Sequence, residues 1–376
     1  MKEKIWLSPP HMSGQEIQFV QEAFQLNWIA PVGPHISRFE QSISERLNGH
    51  SVAALASGTA AIHLALMLAG VKDGDEVLCS SFTFSGTCNP IVYLKAKPVF
   101  IDSELDTWNM SPSLLEEAIE DRQRKVGKKP AAIIVVHLYG MPAKMDEIMA
   151  IAKAHQIPVI EDAAEALGST LHGKPLGTYG LASILSFNGN KIITTSGGGA
   201  LVSSDNHLID KARYLATQAR EPALHYEHTE IGYNYRLSNV CAAIGLGQME
   251  VLSDRVAARR KIFESYQLAF QEYPEIVFLQ EPSGYFSNRW LTTVILQPEL
   301  MLTPAQVVEY LHDQVIEARP LWKPMHQQPV FANYPVYASG VSSKLFNTGI
   351  CLPSGSNMAA EKVERVVDRL KSLINR

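Results

Sequence analysis

A chain of 376 residues, 46% hydrophobic and 19% charged with 24 glycines and 21 prolines, is globular in composition and too long for one ordinary core. A net charge of -5 without a basic stripe excludes nucleic acid as the main partner. Four dispersed cysteines without a CxxC pair exclude a zinc ribbon or disulfide scaffold and suit a reducing cytosol; no metal site is expected.

The first ten residues hold no long apolar stretch before Pro9 and Pro10, so no signal peptide is expected. The longest apolar runs, such as 131–136, fall far short of a membrane span, and a soluble cytoplasmic protein follows as the expectation. From about residue 50 to 205 short apolar runs alternate with helical stretches. The runs 51–57, 76–82, 98–102, 131–138, 158–163, 182–187 and 199–203 read as strands, several without the polar alternation of a sheet with one wet face. Between them, 60–69, 112–119 and 145–155 read as helices. This pattern predicts an α/β fold, a mostly parallel sheet wrapped by helices. Residues 208–273 read as mainly helical, with a long amphipathic helix over 251–270. Beyond Pro282 the pattern turns to α+β: strands over 291–296 and 316–320, helices over 304–314 and 361–374. The Pro/Gly-rich stretch near 281–284 sets the expected division, a large domain over 1–280 and a smaller α+β domain over 281–376.

Ligands of parallel α/β sheets bind beyond the carboxyl ends of the strands, which singles out three stretches. Ala56-Ser57-Gly58-Thr59-Ala60-Ala61 joins a strand to a helix, where free N–H groups and the helix dipole favour an anion; the plainer alternative is a turn capped by Ser57 or Thr59. Glu161-Asp162-Ala163-Ala164-Glu165 places carboxylates after an apolar strand, where a buried aspartate needs a positive partner, an ion pair or a cap. In the third, Lys191 stands among apolar residues ahead of Gly197-Gly198-Gly199, which allow close approach of backbone to a ligand. Most lysines are solvated surface groups, but a desolvated one is the nucleophilic amine that a Schiff base requires. An anion cradle, a buried carboxylate and a buried lysine in one sheet together match the needs of pyridoxal 5′-phosphate (PLP).

With those residues in place, the chain resembles the sugar-nucleotide aminotransferases of the DegT/StrS type, within the fold type I PLP enzymes, over nearly its whole length. The matching stretches include Ser57-Gly58-Thr59-Ala60-Ala61, Gly74-Asp75-Glu76-Val77, Ser81-Phe82-Thr83-Phe84, Glu161-Asp162-Ala163-Ala164, Ser186-Phe187 with Lys191, and Gly232-Tyr233-Asn234-Tyr235-Arg236. It is similar in particular to the branch that makes UDP-4-amino-4,6-dideoxy-N-acetylglucosamine, the bacillosamine type, through Asn27-Trp28-Ile29-Ala30-Pro31, Ala219-Arg220-Glu221-Pro222 and the stretch from Glu317 to Pro324. The resemblance implies that Lys191 and Asp162 are catalytic, Lys191 holding the cofactor as a Schiff base and Asp162 pairing with its ring nitrogen. It also implies that Gly58 and Thr59 N–H groups, beside Ser57 and with the Ser186 hydroxyl, hold the phosphate, and that Phe84 stacks on the ring. Glu165 takes the place of a polar residue beside the ring hydroxyl, often Gln or His, so it must be protonated or hydrogen-bonded some other way. Asn234 is implied to reach the cofactor of a neighbouring subunit, which makes a homodimer with interfacial sites.

For substrate the same resemblance points to Trp28, Ile29, Ala30 and Pro31, hence to a contribution from 1–50, and to Asn288-Arg289-Trp290, Arg220, Arg319 and His326. The implied reaction moves an amino group from L-glutamate to a UDP-linked 4-keto-6-deoxy-N-acetylhexosamine by ping-pong exchange, for a bacterial surface glycan or glycoprotein. A GDP-linked 4-keto sugar (perosamine type) or a 3-keto sugar is the rival within the family, and a PLP-binding regulator without turnover is the rival from another class. A nicotinamide dehydrogenase is disfavoured because no GxGxxG lies between a strand and a helix.

Overall fold

Eight strands build the central sheet of the computed structural model, which describes residues 3–375. Their spatial order is Ser51–Leu55, Gly199–Ser203, Ala182–Ser186, Val159–Asp162, Ala132–Val136, Glu76–Ser80, Lys97–Ile101 and Val336–Tyr337. Gly199–Ser203 runs antiparallel to both neighbours, and every other pairing is parallel. Strand residues alternate between two cores, as the pleat requires: Ile133 and Val135 enter one, Ala132 and Ile134 the other. The first core is closed by the helices Pro34–Arg46, Pro112–Val126, Met145–His155 and Asn239–Glu250, through Phe39, Leu115, Ile148 and Leu246. Gly58–Leu68, Ser85–Tyr93 and Asn206–Ala216 close the second through Ile62, Ile91 and Ile209. Burial on both faces explains the unbroken apolar runs, each buried aliphatic side chain contributing about 1.5–3 kcal/mol.

Local chemistry sets several helix starts. Ser57, Ser111 and Asp205 each accept a first-turn N–H, and Thr303 with Gln306 forms a capping box. Propensity argues against the helix Ser85–Tyr93, which contains Pro90, and the sequence reading assigns no element there; the burial of Cys88 and Ile91 overrides it.

A second sheet, ordered Ile276–Phe278, Thr292–Leu296, Gly349–Leu352 and Arg319–Pro320, is antiparallel throughout. It packs against Pro304–Asp313, Ala360–Ile374 and Ile262, Phe263 and Tyr266 of the helix Leu252–Ala269. Ile5 is buried in the same core and bridges Ile316. Sheet membership therefore crosses the expected division at 280/281. Ile276–Phe278 joins the second sheet and Ile5 enters its core, while Val336–Tyr337 extends the large one. Long-range strand pairing decides this, and the turn residues at 281–284 do not. Of the strand expected over 316–320 only Arg319–Pro320 joins the second sheet's ladder; Ile316 bridges Ile5 instead. No helix among the described residues is long and apolar enough to cross a membrane.

Candidate active site

The parallel strands end along one edge, and beyond them lies a cleft of about 880 Å³ between the large sheet and the second sheet. At its wall the strand Val159–Asp162 presents two consecutive carboxylates to opposite sides. Glu161 turns away from the cleft and accepts N–H groups of Gly177 (2.8 Å), Tyr179 (2.6 Å) and Gly180 (2.8 Å), plus His137 Nε2 at 3.2 Å. His137 Nδ1 accepts the Ala143 N–H at 3.1 Å, so the ring proton lies on Nε2, facing Glu161. Burial pushes Glu161 up, but hydrogen bonds from His137, Gly180 and Gly177 outweigh it and hold the carboxyl below its ordinary value.

Asp162 turns into the cleft. It accepts Thr87 Oγ1 at 2.6 Å and the Ala164 N–H at 3.1 Å. Because the Thr87 hydroxyl proton goes to Asp162, the Thr83 hydroxyl 2.7 Å away donates to Thr87. Burial pushes Asp162 above the usual carboxylate range, with the Thr87 hydrogen bond pulling back. A buried carboxylate with hydrogen bonds but no ion pair among the described residues is suited to a cationic ligand atom.

Lys191 Nζ lies 3.2 Å from Glu165 Oε1 and 4.3 Å from the centre of the Trp290 indole. Glu165 Oε2 accepts the backbone N–H of Tyr139 at 2.7 Å. Burial pushes Glu165 up, while Lys191 and the Tyr139 N–H pull it down. Tyr139 takes φ 54°, a left-handed conformation uncommon outside glycine, and its hydroxyl accepts the Trp322 N–H of the small domain at 3.0 Å. Trp290, Trp322 and Phe84 add an aromatic wall, Phe84 and Trp322 with ring centres 5.7 Å apart.

On the opposite side Ser57 Oγ caps the Ala60 N–H, and the Gly58 and Thr59 N–H groups have no intrahelical acceptor and border the cleft. Ser186 borders it too; a Cβ on Gly58 would stand 3.3 Å from the Ser186 Cβ. A Cβ on Gly199 would meet Gly58 N and Ser57 C at 2.4 Å. That glycine therefore admits the backbone of the anion turn, where the sequence suggested room for a ligand; Gly197 and Gly198 do border the cleft. Helix N–H groups for a phosphate, a buried carboxylate for a ring nitrogen and an amine between them fit PLP.

Ser57, Gly58, Thr59, Phe84, Asp162, Glu165, Ser186 and Lys191 thus share one cleft, with Arg319 and Trp290 at its small-domain side. The remaining expected residues lie elsewhere in the chain's own structure. Trp28, Ile29, Ala30, Pro31, Arg220 and Asn234 are exposed and outside the cleft wall. His326 holds Ser81 Oγ through Nδ1 at 2.6 Å, away from the wall. Asn288 secures the Glu165 and Leu167 carbonyls, and the Arg289 guanidinium sits 3.8 Å over the Phe263 ring. Thr87 and Tyr139 were not anticipated. Tyr139 follows the strand Ala132–Val136, so the strand-end rule reaches it, and Thr83 and Thr87 share one side of a helix start.

The cleft and its groups define a PLP-dependent aminotransferase. The DegT/DnrJ/EryC1/StrS aminotransferase family model matches residues 10–371, and the chain belongs to that family. It is 55% identical to EpsN of Bacillus subtilis (strain 168), whose name assigns it provisionally to the pyridoxal phosphate-dependent aminotransferases, over 100% of this chain and 97% of EpsN. It is 35% identical to the GDP-perosamine synthase of Escherichia coli O157:H7, over 94% of each chain. A crystal structure of a DegT DnrJ EryC1 StrS aminotransferase from Brucella abortus superposes with a TM-score of 0.90 at 26% identity, covering 96% of each chain.

Proposed function

We propose that the protein transfers an amino group from L-glutamate to the C4 ketone of a UDP-linked 4-keto-6-deoxy-N-acetylhexosamine, supplying bacterial surface glycan or glycoprotein synthesis from the cytoplasm. The observation that carries the reading is the convergence of Lys191, Glu165 and Asp162 on one wall of the cleft. Bound there, PLP supplies the electron sink that lets an amino group pass between an amino acid and a keto sugar. Gly58 and Thr59 N–H groups with the Ser186 hydroxyl hold its phosphate, Asp162 keeps its ring nitrogen protonated, and Phe84 covers the ring. Lys191 would be its point of attachment, and Nζ would hold and move the proton of the exchange. Glu165 Oε1 orients that amine, while the Tyr139 N–H fixes the carboxylate behind it. The aromatic wall of Trp290 and Trp322 excludes water, and Lys323, beside the Arg319–Glu317 ion pair, offers positive charge on that side for a nucleotide diphosphate. Asn234 and the segment Trp28 to Pro31 complete the cleft of a partner subunit in a homodimer.

A GDP-linked 4-keto-6-deoxy sugar is the second reading, favoured by the likeness to GDP-perosamine synthase. The visible spectrum of the PLP-loaded protein tests both. A band bleached by the UDP-linked 4-amino-6-deoxy sugar alone supports the first reading, and bleaching by the GDP sugar alone moves the substrate to the second. A folded protein that shows no cofactor band after reconstitution sinks both.

A further inference from the structure

Arg259 lies on the inward face of the helix Leu252–Ala269, fully buried, and no carboxylate among the described residues pairs with it. A guanidinium so placed gives up hydration with no opposite charge in return. Burial, with Arg255 nearby, pulls it down to about 9, so it remains a cation at neutral pH. Its donors reach the Trp290 carbonyl, the Ser354 carbonyl at 3.2 Å and Ser8 Oγ at 3.0 Å.

Arginine only donates, so Ser8 Oγ accepts from it and directs its own proton to the Asn190 carbonyl, 2.7 Å away. The same carbonyl accepts the Trp290 indole N–H at 2.7 Å. One guanidinium therefore anchors both donors, Ser8 through its hydroxyl and Trp290 through its backbone. Asn190 immediately precedes Lys191, and the Trp290 ring is the surface on which Lys191 Nζ rests. The circuit from Arg259 through Ser8, Asn190 and Trp290 joins the N-terminal segment, the lysine loop and the small domain.

We propose that Arg259 is a positioning residue for Lys191, acting through Ser8 and Trp290 to fix the Asn190 carbonyl and the indole face beside the amine. This rests on the reading in which Lys191 Nζ moves the protons. Replacing an arginine that serves stability alone lowers the melting temperature and leaves the lysine's chemistry unchanged.

Ser8→Ala and Ser8→Thr are the first variants, since neither empties the core. In cofactor-free protein, labelling of Lys191 by an amine-reactive anhydride is followed by mass spectrometry across pH. Ser8→Ala should change the labelling rate by at least ~3-fold, and Ser8→Thr should restore it. In the holoenzyme, Arg259→Met should cut kcat by ~10- to 100-fold with KM for the keto sugar within ~2-fold, and adding Ser8→Ala should cost nothing further. Wild-type labelling in Ser8→Ala, or additive losses in the double variant, overturns the proposal. If Arg259→Met does not fold, the Ser8 pair decides. A Lys191→Ala enzyme with full activity would overturn the functional reading instead, and the labelling result in cofactor-free protein separates the two failures.

Discussion

Glu161 accepts four hydrogen bonds on the closed side of its strand, whereas Asp162, the next residue, accepts two and faces the cleft. Their linkage to pH has opposite signs. Asp162 is held above its ordinary value, so its folded form keeps the proton longer; stability complete below the unfolded value is lost as pH rises through the folded one. In cofactor-free protein Asp162→Asn should therefore gain on wild type with rising pH, as read by urea unfolding. The loaded variant should lose at least ~10²-fold in transamination. A variant no more stable than wild type anywhere between roughly pH 5 and 8 contradicts the assignment. Glu161 is held low, so its contribution is complete above its ordinary value and fades as pH falls through the folded one. Glu161→Gln should cost about 1–3 kcal/mol at neutral pH, with the gap closing in acid. The adjacent carboxylates were visible in the sequence; their division of labour was not, because the donors at 137 and 177–180 lie across the fold.

The strand Gly199–Ser203, antiparallel to both of its neighbours in the large sheet, meets the start of the helix Gly58–Leu68 at Gly199. The obstacle to a side chain there is backbone, which no rotamer change relieves. Gly199→Ala should shift the Ser57–Gly58 turn, cost about 1–3 kcal/mol, and raise the PLP dissociation constant by ~10-fold in a fluorescence titration. Unchanged affinity would remove that turn from the phosphate site. Among the elements, seven of the large sheet's strands were legible within a few residues because both faces are dry; the short, partly exposed edge strand Val336–Tyr337 was not. The helix over 251–270 was legible too, but its inward face also carries Arg255 and Arg259, which no hydrophobic pattern announces.

Asn234, Arg220 and the Trp28 to Pro31 segment are exposed, and so are Leu224, Tyr226 and Ile231. Large apolar side chains in that number are a surface suited to a second copy of the chain. If Asn234 serves the partner's cleft, mixing Lys191→Ala with Asn234→Ala protein, after dissociation and reassociation, yields hybrid dimers with one intact site. Activity should rise well above that of either variant alone. Mixtures as inactive as their parents would place Asn234 outside the partner's site.

By itself the sequence determined the α/β layering and the family, and it singled out the three stretches proposed to anchor the cofactor, since each depends on residues close together in the chain: an apolar run, a turn, a carboxylate after a strand. Tertiary structure decided what those residues touch. It placed Tyr139 behind Glu165, closed Arg259, Ser8, Asn190 and Trp290 into one circuit, and carried Ile276–Phe278 into the second sheet and Ile5 into its core. Those contacts join segments separated by up to hundreds of residues, and burial makes unpaired polar groups costly, which favours these pairings over others.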